Sequence, residues 1–200
     1  AGGLPGRMGE IQIWELSNKA LKLSVPTTFD TVYGGSWSPD GTRIAYGGGD
    51  NSVRAVDAET GEELVFMAAH DDWVRDTIFS PDGKSIFSVS RDKTVKKTDF
   101  QTQRFVGNVT THTPGVLQGG MIKVARHPSR EEILVGGADG KPKLFMMATK
   151  AAPASGGNPN QIREYYALPG RLFAVAFSPD GNWCYAGSSL DGAGQIRGFE

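Results

Sequence analysis

The chain has 200 residues, 38% hydrophobic and 22% charged, which is too apolar for disorder and ordinary for a folded chain. Its formal net charge is −1 and no block of like charge runs to five residues, so the long-range field that gathers nucleic acid or anionic lipid is not advertised. The 27 glycines and 11 prolines point to many short elements joined by turns rather than a few long helices. No apolar run approaches the roughly 18–20 residues of a membrane-spanning helix. No signal-peptide pattern opens the chain, so no membrane span and no targeting segment are expected within it.

Aligned with itself, the chain shows a repeat. Ser38-Pro39-Asp40-Gly41 recurs as Ser80-Pro81-Asp82-Gly83 and as Ser178-Pro179-Asp180-Gly181. A degenerate copy, His127-Pro128-Ser129, stands between the last two, giving steps of 42, 47 and 51 residues. Proline pre-sets φ, aspartate bonds its own backbone and glycine accepts the left-handed conformation, so each copy predicts a hairpin. Taken in chain order, first strands are predicted at 33–37, 74–79, 121–126 and 172–177, and second strands at 43–47, 84–89, 133–137 and 183–187. Third strands follow Asp50, Asp92 and Asp139, at 53–57, 95–99 and 143–147. Fourth strands are predicted at 63–67, 104–109 and 163–167. No helical period competes with this pattern. The two ends also match: residues 1–15 align without gaps on 186–200, an offset of 185, or about four periods. The chain is therefore read as a fragment that starts and stops at the same phase of the repeat.

Trp14-Glu15 in its strand, the Ser-Pro-Asp-Gly turns and the third-strand aspartates resemble the WD-repeat β-propeller family. Ala69-His70 resembles that family's Gly-His position. The resemblance implies an all-β propeller of about four blade equivalents, cut from a larger ring of seven or eight blades. The expected division is a blade remnant at 1–29, blades at 30–69, 70–111 and 112–167, and a partial blade at 168–200. The stretch Phe66 to Trp73, with Gly187-Ser188-Ser189-Leu190-Asp191-Gly192, further resembles bacterial propellers attached to c-type cytochrome-like modules. That narrower likeness implies an extracytoplasmic setting, although no Cys-x-x-Cys-His haem site lies in the chain.

Several residues invite catalytic readings. Ser90, His70 and Asp92 have the types of a hydrolase triad, but in a WD repeat these types fill a structural hydrogen-bond network. His70 would then bridge the Asp92 side and a second-strand serine, Ser88 or Ser90, with Thr98 where the family has Trp. That position becomes Val56, Phe145 and Phe199 in other repeats, so apolar packing is expected to carry more of the load. Gly47-Gly48-Gly49-Asp50 lacks the Lys-Ser/Thr and the helix of a phosphate cradle and reads as a tight turn. His70, His112 and His127 lie too far apart for a metal cluster, and neither a metal nor any other cofactor is expected. Cys184, between Trp183 and Tyr185, reads as a small core residue, with a reactive thiol as the alternative.

The expected function is a non-enzymatic scaffold for protein partners. The alternative is the propeller portion of a redox or hydrolytic enzyme whose active site lies elsewhere. By the family resemblance, the loops leading into first strands and those between second and third strands share one docking face. Asp30, Tyr33, Asp71, Asp72, Trp73, Arg75, Arg91, Lys93, Lys141 and Arg171 are its candidates, with Trp73 and Arg75 foremost because exposed Trp and Arg dominate interfaces. Packing between neighbouring blades is the alternative for Trp73. The Gly/Pro-rich stretch 148–161 reads as an insertion between third and fourth strands. Unclosed blade faces predict self-association.

Overall fold

The computed structural model describes residues 2–28, 30–110, 119–151 and 156–200. The first of its sheets joins β1 (Gly2–Leu4), β2 (Met8–Glu15) and β3 (Ala20–Thr28). The second joins β4 (Val32–Trp37), β5 (Arg43–Gly48), β6 (Val53–Asp57) and β7 (Glu63–Met67). The third holds β8 (Val74–Phe79), β9 (Ser85–Ser90), β10 (Val95–Asp99) and β11 (Arg104–Asn108). The fourth holds β12 (Met121–Arg126), β13 (Glu132–Gly137), β14 (Lys143–Met146) and β15 (Gln161–Glu164). The last holds β16 (Arg171–Phe177), β17 (Cys184–Leu190) and β18 (Ala193–Phe199). Each sheet is a meander in which every strand pairs with its neighbours in sequence, and no helix forms among the described residues. The hairpins β1–β2 and β17–β18 are the two ends that match at an offset of 185.

The local chemistry explains the hairpins. Ser38 Oγ accepts the Arg43 N–H at 2.9 Å, and its hydroxyl donates to Asp40 at 2.5 Å. Asp40 also accepts the Thr42 N–H, while Gly41, at φ 71°, closes on the Ser38 carbonyl at 2.9 Å. Ser80 with Asp82, and Ser178 with Asp180, repeat the arrangement. The degenerate copy uses different atoms: His127 Nδ1 accepts the N–H groups of Ser129 at 3.1 Å and Arg130 at 2.9 Å. All four turns still close through one backbone bond, from residue 38, 80, 127 or 178 to the carbonyl five residues on, at 2.8–2.9 Å.

These contacts set a pH dependence. The serine hydroxyls, first among the causes, hold the Asp40, Asp82 and Asp180 carboxyls below their ordinary value of 3.8. A carboxyl depressed in the folded state stabilises it above the unfolded pKa and loses that contribution as pH falls through the folded one. The melting temperature is therefore expected to hold near neutrality and drop below about pH 4. Replacing all three aspartates by asparagine should flatten that drop in thermal melts between neutral pH and pH 2. An unchanged acid limb in the triple variant would refute the assignment.

The chain divides into two compact units, Ala1–Ser88 with Thr98–Arg104 and Val89–Lys97 with Phe105–Glu200. In each, the core lies between neighbouring sheets. In the first unit Ile11, Ile13, Val32, Ile44, Tyr46 and Val56 form one layer, and Ala45, Val53, Val65, Val74, Phe79 and Ile86 form another. In the second, Leu134, Leu144, Tyr165 and Cys184 pack together, with Leu168, Leu172 and Ala186 beyond. Cys184 is buried, and burial pushes its thiol up, away from the reactive thiolate. Its place is that of a small core residue.

One predicted strand is displaced. The fourth strand of the fourth sheet runs from Gln161 to Glu164, not over 163–167. Tyr165 turns inward to stack on Phe199, with ring centroids 4.9 Å apart, and that burial ends the edge strand. The strand starts earlier because Asn160, 1% exposed, anchors the end of the insertion. Its amide donates to the Val109 carbonyl at 2.9 Å, and its carbonyl accepts the Met146 N–H. Residues 152–155 of the insertion lie outside the described residues.

Candidate docking site and repeat network

The sequence pattern places Tyr33 in β4 and Arg75 in β8, with Trp73 at the mouth of β8. The fold brings these three together. The Tyr33 and Trp73 rings lie 5.6 Å apart at 32°. The Arg75 guanidinium carbon sits over both, 4.6 Å from the Tyr33 centroid and 5.0 Å from that of Trp73. All three side chains are partly exposed, so Trp73 both packs against the neighbouring sheet and keeps an open surface. Glycine makes the approach possible: a Cβ on Gly34 would lie 2.5 Å from the Arg75 carbonyl and 2.5 Å from Asp76 Oδ1. Asp71 and Asp72 precede the cluster, and the Asp72 carboxylate accepts the Trp73 N–H at 2.8 Å, fixing the start of β8.

Asp30 accepts the Thr31 N–H at 2.7 Å and the Gly6 N–H at 3.2 Å, so it builds a turn. In the second unit Arg91 and Arg171 are exposed, and Lys93 holds a left-handed turn position at φ 73°. Lys141 is exposed but engaged, since its ammonium meets Glu164 at 2.6 Å.

His70, Ser90 and Asp92 each take part in hydrogen bonds. His70, 6% exposed, has Nε2 2.7 Å from Ser88 Oγ, and Ser88 is fully buried. Asp92 accepts the Thr94 N–H at 2.8 Å and the Thr94 hydroxyl at 2.7 Å, while its own N–H donates to Ser90 Oγ. Asp50 does the same for Ser52, and Asp139 accepts the Lys141 N–H. The third-strand aspartate is thus a turn-builder in every repeat where it occurs. Thr98, at the family's Trp position, is buried and donates to Met67 Sδ at 3.4 Å. Val56 and Phe145 are likewise 1% exposed at the matching places.

Three features escaped sequence reasoning. Arg54 forms a fork from β6, with Asp50 at 2.9 Å and Glu63 at 2.7 Å, while its guanidinium lies over Phe66. Buried Lys143 repeats this with Asp139 four residues back. The signal was an Arg or Lys four residues after a third-strand Asp. His127, 1% exposed, also bolts two sheets of the second unit: Nε2 donates to the Gly181 carbonyl at 3.1 Å, and its ring meets Phe177 edge-on.

The run Gly47-Gly48-Gly49-Asp50 opens no helix; it ends β5 and turns into β6. Among the described residues no group of three or more His, Cys, Asp and Glu side chains is arranged to hold a metal ion. His112 lies outside the described residues. No helix among them is long and apolar enough to cross a membrane.

The family model "WD domain, G-beta repeat" matches residues 22–57, 61–99 and 162–193, more than half of the chain. The chain belongs to the WD-repeat family. Its sheets are propeller blades of WD type, and its expected fold class, all-β with four-stranded units, stands. Among curated relatives it is similar to "Eukaryotic translation initiation factor 3 subunit I" of Emericella nidulans, 31% identical over 120 residues. That match covers 59% of this chain and 33% of the relative. The protein of the same name from Drosophila willistoni is 24% identical over 191 residues, covering 92% of this chain and 57% of the relative. "Nuclear distribution protein nudF" of Emericella nidulans is 29% identical over 119 residues, covering 49% of this chain and 27% of the relative. The chain thus spans between about a quarter and somewhat over half of these relatives. All three come from eukaryotes, which lends no support to the bacterial, cytochrome-linked resemblance.

Proposed function

We propose that this WD-repeat segment is a non-catalytic scaffold that docks protein partners on the surface built by Tyr33, Trp73 and Arg75. The observation that carries the reading is the cluster itself: two partly exposed aromatic rings and a guanidinium held together across neighbouring blades. These residue types carry most of the energy in protein interfaces, often ~2 kcal/mol or more each. A relative that is by name a subunit of a translation initiation factor supports the same class of role. Arg91, Lys141 and Arg171 extend the proposal as further docking positions in the second unit. His70, Ser88, Ser90 and Asp92 are read as the structural network of blade 70–111, not as a nucleophile and its base. The working division remains blades at 30–69, 70–111 and 112–167, with parts of blades at 1–29 and 168–200. Self-association through exposed blade faces belongs to the same reading.

A photo-crosslinking residue placed at position 73 or 33, in cells that express the protein, tests it. Protein adducts are expected at both positions and not at exposed Lys19, in the turn between β2 and β3. Adducts at position 19 alone, or adducts with nucleic acid, would remove the docking surface from this cluster.

A further inference from the structure

We propose that Arg75 is the receptor for a partner's carboxylate, so that this face selects a peptide segment carrying an Asp or Glu beside an apolar residue. The inference rests on the docking reading above and names the chemistry of its partner. A guanidinium presents five N–H donors in a planar fork. The two ring centroids lie 4.6 and 5.0 Å from the guanidinium carbon and 5.6 Å from each other, so both rings pack on one side of the cation rather than enclosing its donor edge. Among the described residues that edge meets no carboxylate, carbonyl or hydroxyl, unlike the guanidinium of Arg54, which is bonded to Asp50, Glu63 and Ser52. The side chain is nevertheless held in place, because two rings from neighbouring sheets fix its position. An arginine already ordered loses little freedom on accepting a bidentate carboxylate, and that geometry fits the fork far better than it fits a lysine.

The surroundings restrict the anion. Asp71 and Asp72 immediately precede Trp73, and the whole chain carries a net charge of −1. Repulsion from these groups accumulates over a run of phosphates, whereas one carboxylate in direct contact with Arg75 sets a strong local bond against a weak, screened field. The open parts of the Tyr33 and Trp73 rings supply flat apolar surface beside the cation, so an apolar residue next to the acid completes the fit. A nucleic acid or a phosphorylated surface is disfavoured on the same grounds.

The test pans a random dodecapeptide library, displayed on phage, against the immobilised 200-residue chain, with Arg75→Ala, Arg75→Lys and Trp73→Ala chains in parallel. Circular dichroism melts check that each variant folds; should Arg75→Ala fail, Arg75→Lys carries the comparison. Enriched peptides are expected to share an Asp or Glu adjacent to an apolar residue. Their affinity should fall about tenfold or more on Arg75→Lys and on changing the peptide acid to its amide. Peptides that depend on Trp73 but contain no acid would overturn the carboxylate receptor and leave the docking surface standing. Basic peptides that bind the Arg75→Ala chain undiminished would overturn it as well. Peptides indifferent to both Trp73→Ala and Arg75→Ala would sink the two readings together.

Discussion

Replacing Gly47 by alanine is expected to destabilise the protein by about 1–3 kcal/mol, the range of overpacked cores. An alanine Cβ at this place would lie 2.3 Å from Val74 Cγ1, 2.6 Å from Val74 Cβ and 2.8 Å from the Val74 carbonyl. Rotating the valine away relieves the first contact only, because the third is backbone. Val74 has no free space either: it is fully buried in the layer with Ala45, Val53, Val65 and Phe79. The third sheet must therefore shift away from the second, and the Tyr33–Trp73–Arg75 cluster, which spans the same two sheets, shifts with it. The same device recurs at Gly136, where a Cβ would stand 2.8 Å from Val175 Cγ1. Gly187 pairs with Ala174 as Gly47 pairs with Gly34, yet a Cβ there meets only Ala174 at 3.6 Å. Gly187→Ala is accordingly the control. Thermal melts should show Gly47→Ala several degrees below wild type and Gly187→Ala within about a degree of it. Equal melting temperatures for the three chains would refute the close-packing account.

The second large effect concerns association. The isolated 200-residue polypeptide should sediment as species heavier than one chain, in proportions that rise with concentration. The last sheet exposes Phe173, Trp183, Tyr185 and Ile196, the last at 81%. The first sheet exposes Trp14, Leu16 and Leu21, with Leu16 at 87%. In repeat folds each unit buries its faces only against its neighbours, so apolar faces without a neighbour are patches of the kind that drive association. Substituting lysine for Ile196 and Tyr185 together should shift the distribution toward single chains without lowering the melting temperature, because both side chains are exposed. A monodisperse wild-type monomer with one sharp calorimetric transition would defeat this expectation.

Much of the fold is legible in the sequence. Strands Val74–Phe79, Val53–Asp57, Val95–Asp99 and Glu63–Met67 fall where the repeat places them, because their limits are set by local turn chemistry. Ser-Pro-Asp-Gly closes on itself, and Asp50, Asp92 and Asp139 each hold the next amide but one. The fourth strand after the insertion was misplaced because Asn160 and Tyr165 answer to Val109 and Phe199, far away in the chain. The same limit applies to the candidate site. The sequence put Trp73 and Arg75 foremost among ten residues but gave no sign that Tyr33, rather than any of the others, joins them.

By itself, then, the sequence determined the repeat, its period, its hairpins and the identity of the residues that build them, since all of these are contacts within a few positions. Only the tertiary structure decided which rings share one cation, that His127 reaches Gly181 and that Gly47 must be bare beneath Val74. These contacts reach across 42 residues from Tyr33 to Arg75, 27 from Gly47 to Val74 and 54 from His127 to Gly181. They form only when one blade is laid on the next, where backbone separation and side-chain volume, rather than local conformational preference, choose the neighbours.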